Sequence, residues 1–155
     1  MKILFLDFDG VLNSNEWFSS LERGGRSPKV EQIDPAAVAR LNRIVDASAA
    51  KIVVSSSWRL GNSVEELQQI LEERGFRGEV VGRTPDLNIV RGLEILAWLS
   101  AQAEVPESYC ILDDSNDMAA LLPNLVRTSW RAGLSDADAD AAILMLGGTS
   151  NGDGR

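Results

Sequence analysis

The sequence contains no histidine, one cysteine and only three lysines, at positions 2, 29 and 51. Without histidine, Ser-His-Asp and Cys-His catalysis and histidine-ligated zinc are excluded. The single cysteine, Cys110, forbids an internal disulfide, and its neighbours Tyr109, Ile111 and Leu112 mark it as a buried, inert thiol in a reducing compartment. No apolar run approaches the ~18 residues of a membrane span. The N-terminal apolar run is broken at Asp7 and so lacks a signal peptide's pattern. The expectation is a cytoplasmic protein with no membrane partner. Basic charge is scarce overall, at a net −8, which argues against non-specific binding to nucleic acid or anionic lipid but leaves room for local basic clusters. The chemistry must come from carboxylates, hydroxyls and arginine.

At 155 residues the chain is one domain by length, able to bury about 70% of its unfolded surface. Apolar runs alternate with helical periodicities. Ile3 to Leu6, Lys51 to Val54, Glu79 to Val81, Tyr109 to Leu112 and Leu125 to Thr128 read as strands. Asp34-Pro35 starts a helix running to about residue 48, with Val38, Leu41, Val45 and Ile44 on its apolar face. Ser63-Val64-Glu65-Glu66 is a capping box opening a second helix that stops at Gly75. A third covers Ile89 to Ala101, with Ile89, Leu93, Leu96, Ala97 and Trp98 expected inward. A short helix near Met118 to Leu122 and a last one from about Ser135 to Leu146 complete the series, followed by a tail over 147–155 expected to be disordered. Alternating strands and helices predict an α/β three-layer fold with a mostly parallel five-stranded sheet and helices on both faces.

Chemistry concentrates where the strands end. The stretch Lys2 to Leu12, KILFLDFDGVL, is a strand of the doubly buried kind followed at once by Asp7 and Asp9, with Gly10 free to turn the chain. Two acids at a strand's carboxyl end point into the crevice where open α/β sheets bind ligands. The second strand ends in Ser55-Ser56-Ser57-Trp58-Arg59, a hydroxyl cluster suited to phosphate oxygens. The fourth ends in Asp113-Asp114-Ser115-Asn116-Asp117, whose acids repel one another unless a cation joins them, and hard oxygen donors favour Mg²⁺.

These runs resemble the motifs of the haloacid dehalogenase (HAD) superfamily. DFDGV matches motif I, Asp-x-Asp-x-(Thr or Val); the strand closed by Ser55 matches motif II; Asp113 with Asp117 four residues on matches motif IV. The resemblance implies Asp7 as nucleophile, Asp9 as general acid/base, Ser55, Ser56 and Arg59 on the substrate phosphate, and Mg²⁺ held by Asp7, the Asp9 backbone carbonyl and Asp113 or Asp114, with Asp117 supporting the ligands. Motif III, a Lys or Arg that neutralises nucleophile and phosphate, falls to Arg91, with Arg59 as runner-up, because no lysine is suitably placed.

Neither gap between motifs exceeds one helix plus a loop, so the resemblance implies a capless HAD-like Rossmannoid domain over residues 1–146. The polar stretch 13–33 is expected as a loop or hairpin over the site, with Trp17 and Phe18 anchoring it and Arg23, Arg26 and Lys29 exposed to a substrate. Ser-Ser-Ser-Trp-Arg and the later Gly-Leu-Ser-Asp look most like a small capless branch associated with RNA-repair proteins. The implied activity is a Mg²⁺-dependent phosphatase working through an aspartyl phosphate on an exposed or macromolecular phosphomonoester, such as a nucleic-acid end or a phosphoprotein. The alternative is a non-enzymatic phosphate-binding module, receiver-like or an inactive HAD fold. A receiver, however, would carry its acidic pair on the first strand, its acceptor at the third and a Lys at the fifth, and no Lys follows residue 51.

Overall fold

The computed structural model describes residues 1–149. Five strands, β1 (Lys2–Leu6), β2 (Lys51–Val54), β3 (Val80–Arg83), β4 (Ser108–Asp113) and β5 (Leu125–Arg127), form an all-parallel sheet in the order β3-β2-β1-β4-β5. The acidic first strand is therefore central. Its alternate side chains serve different layers, which is why it reads as an unbroken apolar run. Leu4 and Leu6 join a core made with α2 (Pro35–Ser48), α3 (Val64–Glu72) and α5 (Asp136–Met145), while Ile3 and Phe5 meet Ile95 of α4 (Arg91–Ser100) together with Met118 and Leu121. Three helices thus cover one face and one helix the other. Nothing is inserted between these elements that would cap the sheet, and no helix among the described residues is long and apolar enough to cross a membrane.

The helix ends follow local chemistry. Asp34 caps α2 through Ala36 N–H at 2.9 Å, with Pro35 in the first turn, and the Ser63–Glu66 box closes reciprocally at 3.1 and 2.8 Å. Ser135 and Asp138 form a second such box on α5, absent from the sequence reading. At the other end of α5, Gly147 and Gly148 donate to the Leu144 and Ile143 carbonyls, so they close the helix instead of starting a loose tail. Residues 150–155 of that expected tail lie outside the described residues.

Two expectations change. The 13–33 stretch is neither loop nor hairpin: it holds a short helix, α1 (Asn15–Ser20), and two single 3-10 turns, Gly24–Arg26 and Val30–Gln32. Trp17 ties the two ends of this stretch together, its Nε1 donating to the Glu31 carbonyl at 3.1 Å. The inward face of α4 is also nearly opposite to the expected one, with Trp98 common to both. Ile95 is buried and Trp98 and Leu99 pack beside it, whereas Ile89, Leu93 and Leu96 are 47%, 41% and 43% exposed. Apolar residues lie on both sides of this helix, so periodicity left its phase open; two contacts described below set it.

Candidate active site

At the sheet's carboxyl edge, strand register sets four residues side by side. Leu6 pairs with Val54 and Leu112, and Val54 pairs with Arg83, so the next residues in line are Asp113, Asp7, Ser55 and Thr84. Asp7 N–H bonds the Leu112 carbonyl at 3.0 Å, Ser55 N–H bonds Leu6 at 2.9 Å and Thr84 N–H bonds Val54 at 3.0 Å, which extends the ladder to the rim. All four are at least 94% buried.

Carboxylate oxygens of Asp7, Asp113 and Asp114 lie within 4.8 Å of one another. Arg91 Nη1 stands 3.0 Å from Asp113 Oδ2 and 3.5 Å from Asp7 Oδ1. Burial, reinforced by Asp113 and opposed by Arg91, pushes the Asp7 carboxyl up to about 8. Burial also raises Asp113 to about 6, against the pull of the Ser115 N–H bond and Arg91. One arginine therefore does not offset three crowded carboxylates. Three hard oxygen donors in one cluster, short of positive charge, fit a small divalent cation such as Mg²⁺. The side chain of Asp9 is not in this cluster; Asp117 is exposed and takes a 2.7 Å bond from Ser115 Oγ instead.

Asp9 is exposed, and its Oδ1 accepts from Asn13 Nδ2 at 2.9 Å and Trp58 Nε1 at 3.1 Å. Oδ1 of the same Asn13 accepts from Gly10 N–H at 3.0 Å. Gly10 has φ +84, and a Cβ there would strike the Asp114 side chain, so the turn just after Asp9 requires glycine twice over. The loop after β5 braces this turn. Thr128 Oγ1 donates to Gly10 O at 2.7 Å, Leu134 N–H to Val11 O, and Asn15 and Glu16 N–H to Trp130 and Arg131. Gly133, from the Gly-Leu-Ser-Asp run, lets that loop approach the Val11 and Asn13 carbonyls to the point where a Cβ would sit 3.0 Å away.

Arg91 reaches the acids because α4 is pinned at two points. Gly92 N–H bonds Asp117 O at 3.0 Å, and a Cβ on Gly92 would strike the Met118 backbone. Two residues on, buried Glu94 binds Arg59 Nη2 at 3.0 Å and accepts from Leu87 N–H at 2.9 Å. Both contacts orient the helix and so override its apolar periodicity.

This geometry corrects the expectation that Arg59 contacts phosphate. Its guanidinium is 5% exposed and all three nitrogens are engaged, Nε with Thr84 O, Nη1 with Ser56 O, and Nη2 with Glu94 and Pro85 O. Ser56 Oγ is likewise engaged, accepting from Trp58 N–H to cap the Ser57–Leu60 turn. Ser55 Oγ and Thr84 Oγ1, by contrast, are buried with no hydrogen-bond partner among the described residues. The sequence reading missed Asn13, Trp58, Thr84, Gly92 and Glu94. Only Asn13, one helical turn after Asp9, and Thr84, a hydroxyl at a third strand end, left a local signal.

The family model of the HAD domain in Swiss Army Knife RNA repair proteins matches residues 3–139. Neither a curated protein nor a solved structure matches the chain. That match covers all five strands, and with the all-parallel, uncapped sheet around Asp7 it identifies the chain as a member of this HAD domain family, a capless branch of the HAD superfamily associated with RNA repair.

Proposed function

We propose that the chain is a Mg²⁺-dependent phosphatase that removes a terminal phosphate from a nucleic-acid end through an aspartyl phosphate on Asp7. The observation that carries this reading is the meeting of Asp7, Asp113, Asp114 and Arg91 at one strand end, with Asp9 held apart and free to move a proton. The RNA-repair association of the family supports a nucleic-acid substrate.

Asp7, Asp113 and Asp114, with the Asp9 carbonyl, would hold Mg²⁺, which would supply positive charge to keep Asp7 ionised and to draw charge from the phosphoryl oxygens. Asp7 forms the new oxygen–phosphorus bond in line with the departing ester oxygen. Asp9 protonates that oxygen as its bond to phosphorus breaks. Both bonds to Asp9 fall on Oδ1, which leaves Oδ2 to carry the proton. Asp9 then takes a proton from water, whose oxygen attacks phosphorus and releases Asp7. Arg91 and the Ser55 hydroxyl hold the equatorial oxygens, where charge builds in the transition state. An unpaired buried hydroxyl costs ~1–3 kcal/mol, and a phosphate oxygen relieves that cost. Arg59 and Ser56 serve by holding the loop that carries Ser55.

The test is phosphate release from 3′- and 5′-phosphorylated oligonucleotides with Mg²⁺ or with EDTA, together with mass spectrometry of the quenched enzyme. Release that needs Mg²⁺ and a phosphoryl adduct on the Asp7 peptide are expected. Full activity in Asp7→Asn ends the nucleophile assignment.

A further inference from the structure

A cleft of about 290 Å³ is lined by Lys29, Gln32, Ser57, Trp58, Gly61 and Asn62, of which Trp58 is hydrogen-bonded to Asp9. Its volume is at the small end of ligand sites. It joins the 13–33 segment to the turn after β2, and nothing in the proposed chemistry uses it. Trp58 links the two places, since the indole that borders the cleft donates to Asp9 Oδ1. A group leaving phosphorus must depart on the side of the acid that protonates it. Through Trp58 the cleft lies on that side of Asp9.

The lining indicates what that group is. The Trp58 ring is packed on Phe8, with centroids 5.2 Å apart and planes inclined by 51°, and remains part-exposed, so it is a fixed aromatic surface. The amide nitrogens of Gln32 and Asn62 are engaged with Ser27 O at 2.7 Å and Trp58 O at 2.8 Å. Their carbonyl oxygens are left as acceptors, beside the exposed Ser57. Lys29 is the one cation of the lining, exposed and in no ion pair among the described residues. Gly61 borders the cleft with open space around it, since a Cβ there would meet nothing within 4 Å.

We propose that this cleft seats the terminal nucleoside of the substrate, with its base on the Trp58 indole, the base's N–H donors toward the carbonyl oxygens of Gln32 and Asn62, and the next backbone phosphate at Lys29. Stacking on an aromatic ring suits any base, and one cation suits one phosphate. A peptide leaving group would need backbone partners along an extended path, which a cleft with one cation and two amide acceptors does not offer. The assignment rests on the phosphatase reading above.

The test compares the wild type with Gly61→Phe, which fills the cleft, and Lys29→Glu, which reverses its charge. Gly61 has φ −128 and open space around its Cβ, so the variant is expected to keep the wild-type melting temperature. Substrates are a phosphorylated dinucleotide, glycerol 2-phosphate and a phosphotyrosyl peptide. The wild type is expected to favour the dinucleotide over glycerol 2-phosphate by about 10-fold or more in kcat/KM. Both variants should remove most of that preference through KM. A preference unchanged in both variants overturns the proposal, and so does a wild-type preference for the peptide that Gly61→Phe abolishes. Calorimetric titration with the unphosphorylated dinucleotide separates this from the parent reading. Binding lost in Gly61→Phe by a protein that releases no phosphate retains the cleft and sinks the phosphatase; phosphate release with binding unaffected by Gly61→Phe does the reverse.

Discussion

Arg59 and Glu94 meet at 3.0 Å with each side chain 5% exposed, and the pair ties the turn after β2 to the helix that carries Arg91. Removing one partner leaves a buried charge without its counter-ion, a change that typically costs about 3–5 kcal/mol. Glu94→Ala should therefore lose about 3 kcal/mol in urea denaturation, and Arg59→Met/Glu94→Leu should recover a large part of it. A single-variant loss under about 1 kcal/mol would show that the pair is not a structural tie.

Among the described residues, Arg91 is the one cation paired with Asp7 and Asp113. Arg91→Ala should lower kcat by ~10²-fold or more, as loss of a preorganised electrostatic partner does. Arg91→Lys should restore only part, since the charge returns without the planar fork. Steady-state kinetics decide; near-normal kcat in Arg91→Ala would assign the family's basic role elsewhere.

Gly92 carries a different prediction. Its missing Cβ lets the start of α4 rest on the Met118 backbone. Gly92→Ala should cost about 1–3 kcal/mol by overpacking and displace Arg91, lowering kcat as well as stability. A variant as stable and as active as wild type would mean that the helix start moves freely.

The crowded acids make stability depend on pH. In the fold Asp7 holds its proton up to about pH 8, against an ordinary value of 3.8, and Asp113 up to about 6. Between those values the folded state binds more protons than the unfolded chain, so stability falls as pH rises. In EDTA the melting temperature should drop by about 5 °C or more from about pH 5 to about pH 8. Asp7→Asn should flatten most of that slope. Mg²⁺ should stabilise the wild type more at the upper end, where it need not displace a proton. A melting temperature that rises through this range in EDTA would contradict the proposed burden of charge.

Motif spacing made the acidic centre legible because its members close strands: parallel register carries Asp7, Asp113 and Ser55 to one edge whatever the loops do. Arg91 was legible for a similar reason, since a helix start next to a strand end has little freedom to miss it. The roles of Arg59 and Trp58 were not legible. An arginine and an indole after a serine cluster have several partners within reach, and only the position of Glu94, 35 residues away, and of Asp9, 49 residues away, decides among them.

By itself the sequence determined the strand and helix alternation, the doubly buried first strand and the acids at the strand ends, because periodicity and turn chemistry act over a few residues. Tertiary structure alone decided the phase of α4, the burial of Arg59 and the cleft bordered by Trp58. Each depends on contacts between segments far apart in the chain, where packing, charge pairing and backbone approach outweigh any local preference.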